Sequence, residues 1–300
     1  MVIPVYNKEI FVIRCLQSVL LQKTKPREII IVNDGSTDNS LNVINDFFIK
    51  TNTDIEIIIL DIENGGVSNA RNMGAKKSKS DYIAFLDADD EWSQDYLFEM
   101  TQLIQKYPNA GVFSCNHMIN RKGSDIFTAI SYMDEGFSGP VDYFYSAQKQ
   151  SIINSSKVIV NKNIFFSVNG FPKGVRYGED LHTWIKLALV SEVIFTNQAL
   201  VTINQFPDES RNSRSDVVLY PLIVVSSYEY KNNKELKKYL LTLFKRGYLF
   251  RIKEGNIKSA FKTLTHSFKI SPIHVFLYIP CLFIPASLMR IAYNISKKGR

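Results

Sequence analysis

The chain has 300 residues, 45% of them hydrophobic and 22% charged, a balance that supports a large buried core and excludes a disordered or low-complexity protein. Its three cysteines, Cys15, Cys115 and Cys281, are far apart and lack metal-ligand spacing, so a disulfide scaffold and a zinc site are excluded and three reduced thiols are expected. The net charge of +7 is unevenly divided. Residues 231–300 carry 15 Lys/Arg against Glu235 and Glu254, or +13, which leaves −6 on residues 1–230 and points to an anionic surface near the basic part, nucleic acid or acidic lipid.

The N-terminal MVIPVYNKE opens directly on a strand from Val2 to Tyr6, entered part-way, so a few further residues are expected upstream. Ile10 to Leu21 has helical spacing, with Ile10, Ile13, Leu16 and Leu20 on one face. Glu28 to Asn33 (EIIIVN) is a β-branched run that stops at the polar cluster Asp34 to Ser40. Leu41 to Ile49 reads as helix and Ile55 to Leu60 as strand. Val67 to Lys77 is a helix following Asn64-Gly65-Gly66, and Asp81 to Leu86 is the fourth strand. Strands that are continuous apolar runs, alternating with helices, predict the α/β class: a mostly parallel sheet with helices on both faces.

Beyond Asp90 the pattern loosens. Asp95 to Tyr107 reads as helix and Gly111 to Met118 as strand, while residues 126–160 mix short strands and loops. Asp180 to Val190 is helical, and strands follow near Val193 to Thr196 and Leu200 to Asn204. From Ser215 the chain reads as a helical C-terminal region, broken at Gly255 and at Ser271-Pro272, with a domain shift near residue 210. The segment Ile273 to Met289 is nearly all apolar but is interrupted by Pro280 and Pro285. Its length lies at the lower edge of the roughly 17–25 residues that cross a bilayer, and its prolines favour a bent segment lying in the interface. Arg290, Lys297, Lys298 and Arg300 follow, as suits an apolar anchor beside anionic headgroups.

In an open parallel sheet, ligands bind beyond the carboxyl ends of the strands. The four N-terminal strands run into Pro4-Val5-Tyr6-Asn7, Asn33-Asp34-Gly35-Ser36, Asn64-Gly65-Gly66 and Asp87-Ala88-Asp89-Asp90, so four polar or glycine-rich loops are expected at one edge. On an extended backbone Asp87 and Asp89 share a side, with Asp90 pointing away or capping the next helix. Paired carboxylates at such a place suit a hard divalent cation, Mg²⁺ or Mn²⁺, whose shell is completed by phosphate and water. Asp34 either accepts a hydrogen bond from a nucleobase or closes an Asx-turn. Arg71, on a helix opened by two glycines, either meets an anion or is a surface helix charge. Neither a G-x-G-x-x-G nor a Walker A sequence occurs, which argues against dinucleotides and P-loop phosphoryl transfer.

PVYN, EIIIVNDGSTDNS, ENGGVSNARN and DYIAFLDADD, in this order and spacing, resemble the inverting family 2 glycosyltransferases of bacterial surface-polysaccharide synthesis, which have the GT-A fold. The resemblance is close over residues 1–110 and extends to about 205. It implies a nucleotide-sugar donor, most often a UDP-sugar, held by a divalent metal on the diphosphate. By position, Pro4, Tyr6 and Asp34 would hold the nucleotide with Arg71 near it. Asp87 would contact ribose or metal, Asp89 would ligate the metal, and Glu9 matches a frequent acidic position of the first motif. The family carries its base on a downstream Glu-Asp pair, which Glu179-Asp180 matches, with Asp180 the base and Glu179 its fallback. The alternative for that pair is two acids complementing a helix dipole. The Gln-x-x-Arg-Trp motif of processive members is absent, so one sugar is expected per event. The loop from Thr202 to Arg214 lacks the His that relatives often carry there, and Arg211 and Arg214 are its possible diphosphate contacts.

The expected organisation is a catalytic domain over 1–210, with a nucleotide-binding half (1–110) and an acceptor half (111–210), then a basic helical region (211–270) and a membrane-associating tail (271–300). The acceptor is expected to be a glycan or lipid-linked glycan, and the chain to be cytoplasmic and peripheral on the inner face of the cell membrane. Rival readings are an inactive GT-A partner subunit and a nucleic-acid binder using the basic region, the latter needing exposed aromatics interleaved with its lysines. A glycosidase would also use two carboxylates but would not need the strand-end crevice.

Overall fold

In a computed structural model of the chain, residues 1–121, 124–128, 133–205 and 217–289 are described. Arg211, Arg214 and the basic residues from Arg290 to Arg300 lie outside them. The described residues divide into two compact units. Of the described residues, the first comprises those within 1–146, 150–174 and 182–205, and the second those within 147–149, 175–181 and 217–289.

The first unit is built on one sheet. Its strands are β1 (Val2–Val5), β2 (Glu28–Asp34), β3 (Glu56–Ile62), β4 (Tyr82–Phe85), β5 (Glu91–Trp92), β6 (Val112–Arg121), β7 (Ser124–Thr128), β8 (Ser138–Val141), β9 (Val158–Asn161) and β10 (Val193–Asn204). They lie in the order β3-β2-β1-β4-β9-β6-β10-β5, with β7 on β6 and β8 on β10. The pairs β2/β3, β1/β2, β1/β4 and β6/β10 are parallel. β9 runs antiparallel between β4 and β6, and β5, β7 and β8 are antiparallel additions. The β1/β2 and β2/β3 ladders pair Val5 with Asn33 and Asn33 with Asp61, so the polar ends of these strands reach the same edge.

The apolar runs are explained by what covers each face. Side chains alternate along a strand, and here both sides are dry. Ile3, Val5, Ile29, Ile31, Ala84 and Leu86 enter a core with Val12, Cys15, Leu16 and Val19 of α1 (Val12–Leu20), Ile44 of α2 (Ser40–Lys50) and Leu97, Met100 and Leu103 of α4 (Tyr96–Lys106). The opposite face receives α3 (Val67–Lys77), whose Gly74 lies against Val2 and Val32. On that side Phe85, Phe165, Phe171 and Trp184 form a chain of tilted and edge-to-face rings with centroids 5.4–5.6 Å apart. Phe165 lies on α6 (Lys162–Ser167) and Trp184 on α7 (Glu179–Val190).

Two local expectations are corrected. The stretch expected as strands and loops contains the helix α5 (Tyr143–Lys149), started by Asp142, whose carboxylate accepts the Tyr145 N–H. The two short strands near residues 193–204 are one strand, β10, whose register against β6 shifts around Ala199 so that polar Asn197 and Gln198 are absorbed as a bulge.

The second unit contains α8 (Tyr220–Ile223), α9 (Lys234–Lys253), α10 (Ile257–Ser267) and α11 (Pro272–Tyr278), the last continued by a 3₁₀ turn, Ile279–Phe283. Asn233 and Asn256 cap the helices α9 and α10 through their side chains. Gly255, at φ 77°, turns the chain between them, and Pro272 starts α11, so both breaks fall where the sequence puts them. Arg251 is buried, donating to the Gly247 and Val217 carbonyls, and the Tyr248 hydroxyl donates to the Tyr278 carbonyl at 2.8 Å. Among the described residues no helix is long and apolar enough to cross a membrane.

Two features of the packing generate predictions. A Cβ at Gly74 would lie 2.4 Å from Val2 Cγ1, so Gly74→Ala should lose about 1–3 kcal/mol to overpacking despite the gain of up to about 1 kcal/mol in helix propensity; chemical denaturation would read the net loss. Lys157 is buried with its Nζ 3.1 Å from His117 Nδ1, and burial pushes its pKa down to about 8. Burial and the Lys157 charge push His117 down to about 3, leaving a neutral ring that can accept the ammonium proton. Between about pH 8 and the ordinary lysine value near 10.4, the unfolded chain holds a proton that the folded chain has released, so stability rises with pH there. Denaturation curves should therefore show wild type gaining on Lys157→Met as pH is raised through that window. Parallel pH profiles would refute the buried charge.

Candidate active site

The acidic turn after β4 is the centre of the strand-end edge. Its geometry differs from the extended backbone expected from D-x-D spacing. β4 stops at Phe85, and the Asp90 N–H donates to the Asp87 carbonyl at 3.0 Å, closing Asp87 to Asp90 into a turn. The carboxylates consequently diverge to separate partners. Asp87 accepts from Arg71 Nη2 at 2.6 Å, and Asp89 from Lys8 Nζ at 2.7 Å. Their side chains remain 35% and 26% exposed, open to a ligand.

Asp90 does not point away or cap a helix. It is buried, taking the Ser156 hydroxyl at 2.5 Å on one oxygen and the Asn204 N–H at 2.9 Å on the other. Burial first, and then the charges of Asp87 and Asp89, raise its pKa well above the usual carboxylate range, with the two hydrogen bonds opposing. Ser156 also accepts the Asp87 N–H at 3.2 Å, and its carbonyl accepts Trp92 Nε1 at 2.7 Å. The turn is thereby clamped by β5, β10 and the segment before β9. The Cys15 thiol, pushed up by burial and then by Asp90, Asp89, Asp87 and Glu91, lies beneath it, 3.7 Å from the Asp87 carbonyl. Cys15 and Cys115 are buried, and all three cysteines are free.

Arg71 is not a surface charge. It is buried on α3 with its guanidinium carbon 5.2 Å from the Phe171 ring centroid, so the aromatic cluster fixes the cation that meets Asp87. Asp34 ends β2, buried, and its carboxylate accepts the Gly65 N–H at 2.8 Å while its carbonyl accepts Asn64 Nδ2 at 2.8 Å. It ties the second strand-end loop to the third. Gly35, at φ 66°, permits the approach, since a Cβ there would lie 2.8 Å from the Asn64 nitrogen. Pro4 is buried in β1 opposite Val32, and Tyr6 projects from its end, 48% exposed. Glu9 acts within the loops: its carboxylate accepts the Asn39 N–H at 2.8 Å, and its own N–H donates to Asp38. Glu179 and Asp180 open α7, counted with the second unit, and Asp180 Oδ1 accepts the Leu181 N–H at 2.7 Å.

Sequence reasoning missed Lys8, Ser156 and Asn204. Lys8 stood between Tyr6 and Glu9 of a motif already singled out, and a cation within reach of two carboxylates was the signal. Ser156 and Asn204 had no signal, because only the sheet order brings β9 and β10 to the turn.

The turn suits a divalent cation of one kind. Among the described residues no group of three or more His, Cys, Asp or Glu could hold a metal by itself. Asp89 and Asp87 are hard oxygen donors, partly exposed and already facing cations, which fits Mg²⁺ or Mn²⁺ held by one or two carboxylates with substrate phosphate completing the shell. A cavity of about 620 Å³ lined by Tyr228, Tyr230, Lys231 and Lys269 lies within the second unit and includes none of these carboxylates.

The chain is similar in sequence and in fold to known glycosyltransferases. Over 189 residues the chain is 34% identical to an uncharacterised glycosyltransferase, RC0461, of Rickettsia conorii, covering 62% of this chain and 29% of the relative. It is 31% identical over 209 residues to glycosyltransferase GlyA of Streptococcus pneumoniae, covering 66% and 29%. The chain thus spans under a third of the length of these two relatives. In fold it is similar to TarS residues 1–349 of S. aureus, solved with UDP-GlcNAc, at a TM-score of 0.72 and 17% identity over 91% of this chain and 81% of that one. It is also similar to the mannosyltransferase PcManGT of Pyrobaculum calidifontis, solved with GDP-Man and Mn²⁺, at a TM-score of 0.63 and 16% identity over 96% and 81%. These likenesses establish the GT-A fold. The model of glycosyl transferase family 2 matches residues 1–171, from the first strand through the acidic turn to the aromatic cluster beneath Arg71, and the chain belongs to that family.

Proposed function

We propose that this chain transfers a sugar from a nucleotide-sugar donor, a UDP-sugar by preference, to an acceptor hydroxyl with inversion. The observation that carries the reading is the acidic turn at the shared edge of parallel strands, with Lys8 on Asp89 and Arg71 on Asp87. The donor's nucleotide would lie over Pro4, Tyr6 and Asp34, with the diphosphate at the turn. Asp89, with Asp87, would hold the divalent metal, whose chemistry when bound is to neutralise charge developing on the leaving diphosphate. Lys8 would then be free to exchange Asp89 for phosphate, since an ammonium on a flexible stem changes partners readily. Arg71, buried and stacked on Phe171, holds Asp87 in place. Asp180, or Glu179 in its place, would take the acceptor proton, and a single in-line displacement with such a base inverts the anomeric centre.

The donor class is supported by the UDP-GlcNAc and GDP-Man carried by structural neighbours and by the family itself. The acceptor is read as a surface or lipid-linked glycan, met at the inner face of the membrane. A relative 28% identical over 207 residues is, by its name, the teichoic acid poly(glycerol phosphate) polymerase of Staphylococcus epidermidis. The catalytic part is assigned to 1–210, and the basic region and tail to holding the chain at that surface.

Thermal unfolding with UDP, GDP, TDP or CMP, each with Mn²⁺ or EDTA, tests the donor site. One nucleotide at about 100 times its Kd should add roughly 2.7 kcal/mol, and the gain should vanish with EDTA and in Asp89→Ala. No stabilisation by any nucleotide would sink the donor reading. For the base, Asp180→Asn should lower turnover about 10²- to 10⁴-fold while nucleotide stabilisation is unchanged; an equal loss in Glu179→Gln alone would move the role to Glu179.

A further inference from the structure

The second unit wears its apolar side outward. Helix α10 buries Ser259, Ala260, Thr263, Leu264 and Ser267, four of them small or hydroxylated, and exposes Ile257 and Phe261 on its surface and Phe268 just past its end. These three stand at i, i+4 and i+11, one face of a helix. Lys258, Lys262 and Lys269 repeat the same spacing one residue further on, and all are exposed. The next elements continue the face: Ile273 is 72%, Leu277 69% and Phe283 82% exposed. The Phe268 and Phe276 rings, 6.0 Å apart, join its two parts. A soluble chain buries such side chains against its core when it can, and a contiguous patch of this kind marks an interaction site.

Charge decides the occupant. From Gly255 to Arg300 the chain has no Asp or Glu. A second copy docking by a two-fold axis would set these lysines against one another, whereas an anionic lipid surface accepts both the apolar row and the lysine row beside it. We infer that α10, α11 and the turn Ile279–Phe283 form a lipid-docking face, with Ile257, Phe261, Ile273, Leu277 and Phe283 entering the interface and Lys258, Lys262 and Lys269 meeting headgroup phosphate. The inference rests on the reading of the chain as working at a membrane surface, and deepens it by naming the face and the lipid charge.

Flotation of the full chain tests it, with phosphatidylglycerol/phosphatidylcholine vesicles against phosphatidylcholine alone. Wild type should float with the anionic vesicles and be released by salt. Leu277→Ser with Phe283→Ser should weaken partition on the order of tenfold or more, and Lys258→Gln with Lys262→Gln by about fivefold per lysine on anionic vesicles only. Nucleotide stabilisation, measured on the same samples, reports their folding, and Asp89→Ala should float like wild type. Equal flotation of wild type and both double variants would overturn the inference. So would absence of flotation, or a dimer in solution that Leu277→Ser with Phe283→Ser dissolves. Flotation without nucleotide binding would leave the face standing and remove the donor reading instead.

Discussion

Three carboxylates within four residues, at the end of a strand whose own side chains are dry, are the constraint around which the first unit is arranged. Like charges about 5 Å apart at an effective dielectric near 20 repel by roughly 3 kcal/mol, so Asp87, Asp89 and Asp90 cannot all be ionised and close without compensation. The chain answers differently for each. Asp90 goes inward, where burial raises its pKa and Ser156 and Asn204 satisfy its oxygens. Asp87 takes a rigid cation, Arg71, and Asp89 a flexible one, Lys8. The buried acid anchors the turn, and the two outer acids stand at the mouth, each against its own cation.

That solution explains why distant parts of the chain are needed. Arg71 is held by Phe171, which in turn packs on Phe85, Phe165 and Trp184. Asn72, beside it on α3, donates to the Phe171 carbonyl at 2.7 Å and accepts the Phe171 N–H at 2.9 Å. The aromatic face of the sheet therefore sets the direction of the guanidinium as well as filling volume. On the other face, Trp92 stacks on Tyr96 at 4.2 Å while its indole N–H reaches the Ser156 carbonyl. Both layers of the fold thus converge on one turn.

Much of this was legible in the sequence, for a physical reason. The run EIIIVN and the strand DYIAFL have no polar side, so they demand helices on both faces of a sheet, and four such strands ending in polar loops demand a common edge. What stayed hidden depended on tertiary placement. A D-x-D spacing does not say whether the backbone is extended or turned, and the turn, closed by the Asp90 N–H, sends the carboxylates to different cations. Tyr143 to Lys149 (YFYSAQK) has strand-like aromatics, yet it forms a helix that Asp142 caps. For Arg71 the sequence left an anion contact and a surface charge both open, because nothing local announces the ring of Phe171, a hundred residues away.

The two cations at the acidic turn differ in how firmly each is held. Arg71 is almost fully enclosed, and removing it would take from the partly exposed Asp87 the cation that the aromatic cluster holds in place. Lys8 is about a quarter exposed, and exposed pairs of this kind are worth about 0–1 kcal/mol. If the chain binds a nucleotide diphosphate here as proposed, admitting and later releasing it needs one positive charge that stays and one that yields. An arginine at position 8 would hold Asp89 in a fork and resist that exchange, whereas a lysine at position 71 could not both stack on Phe171 and reach Asp87 with a planar donor. On the proposed function, the choice of residue at each position follows from how long its partner must be held.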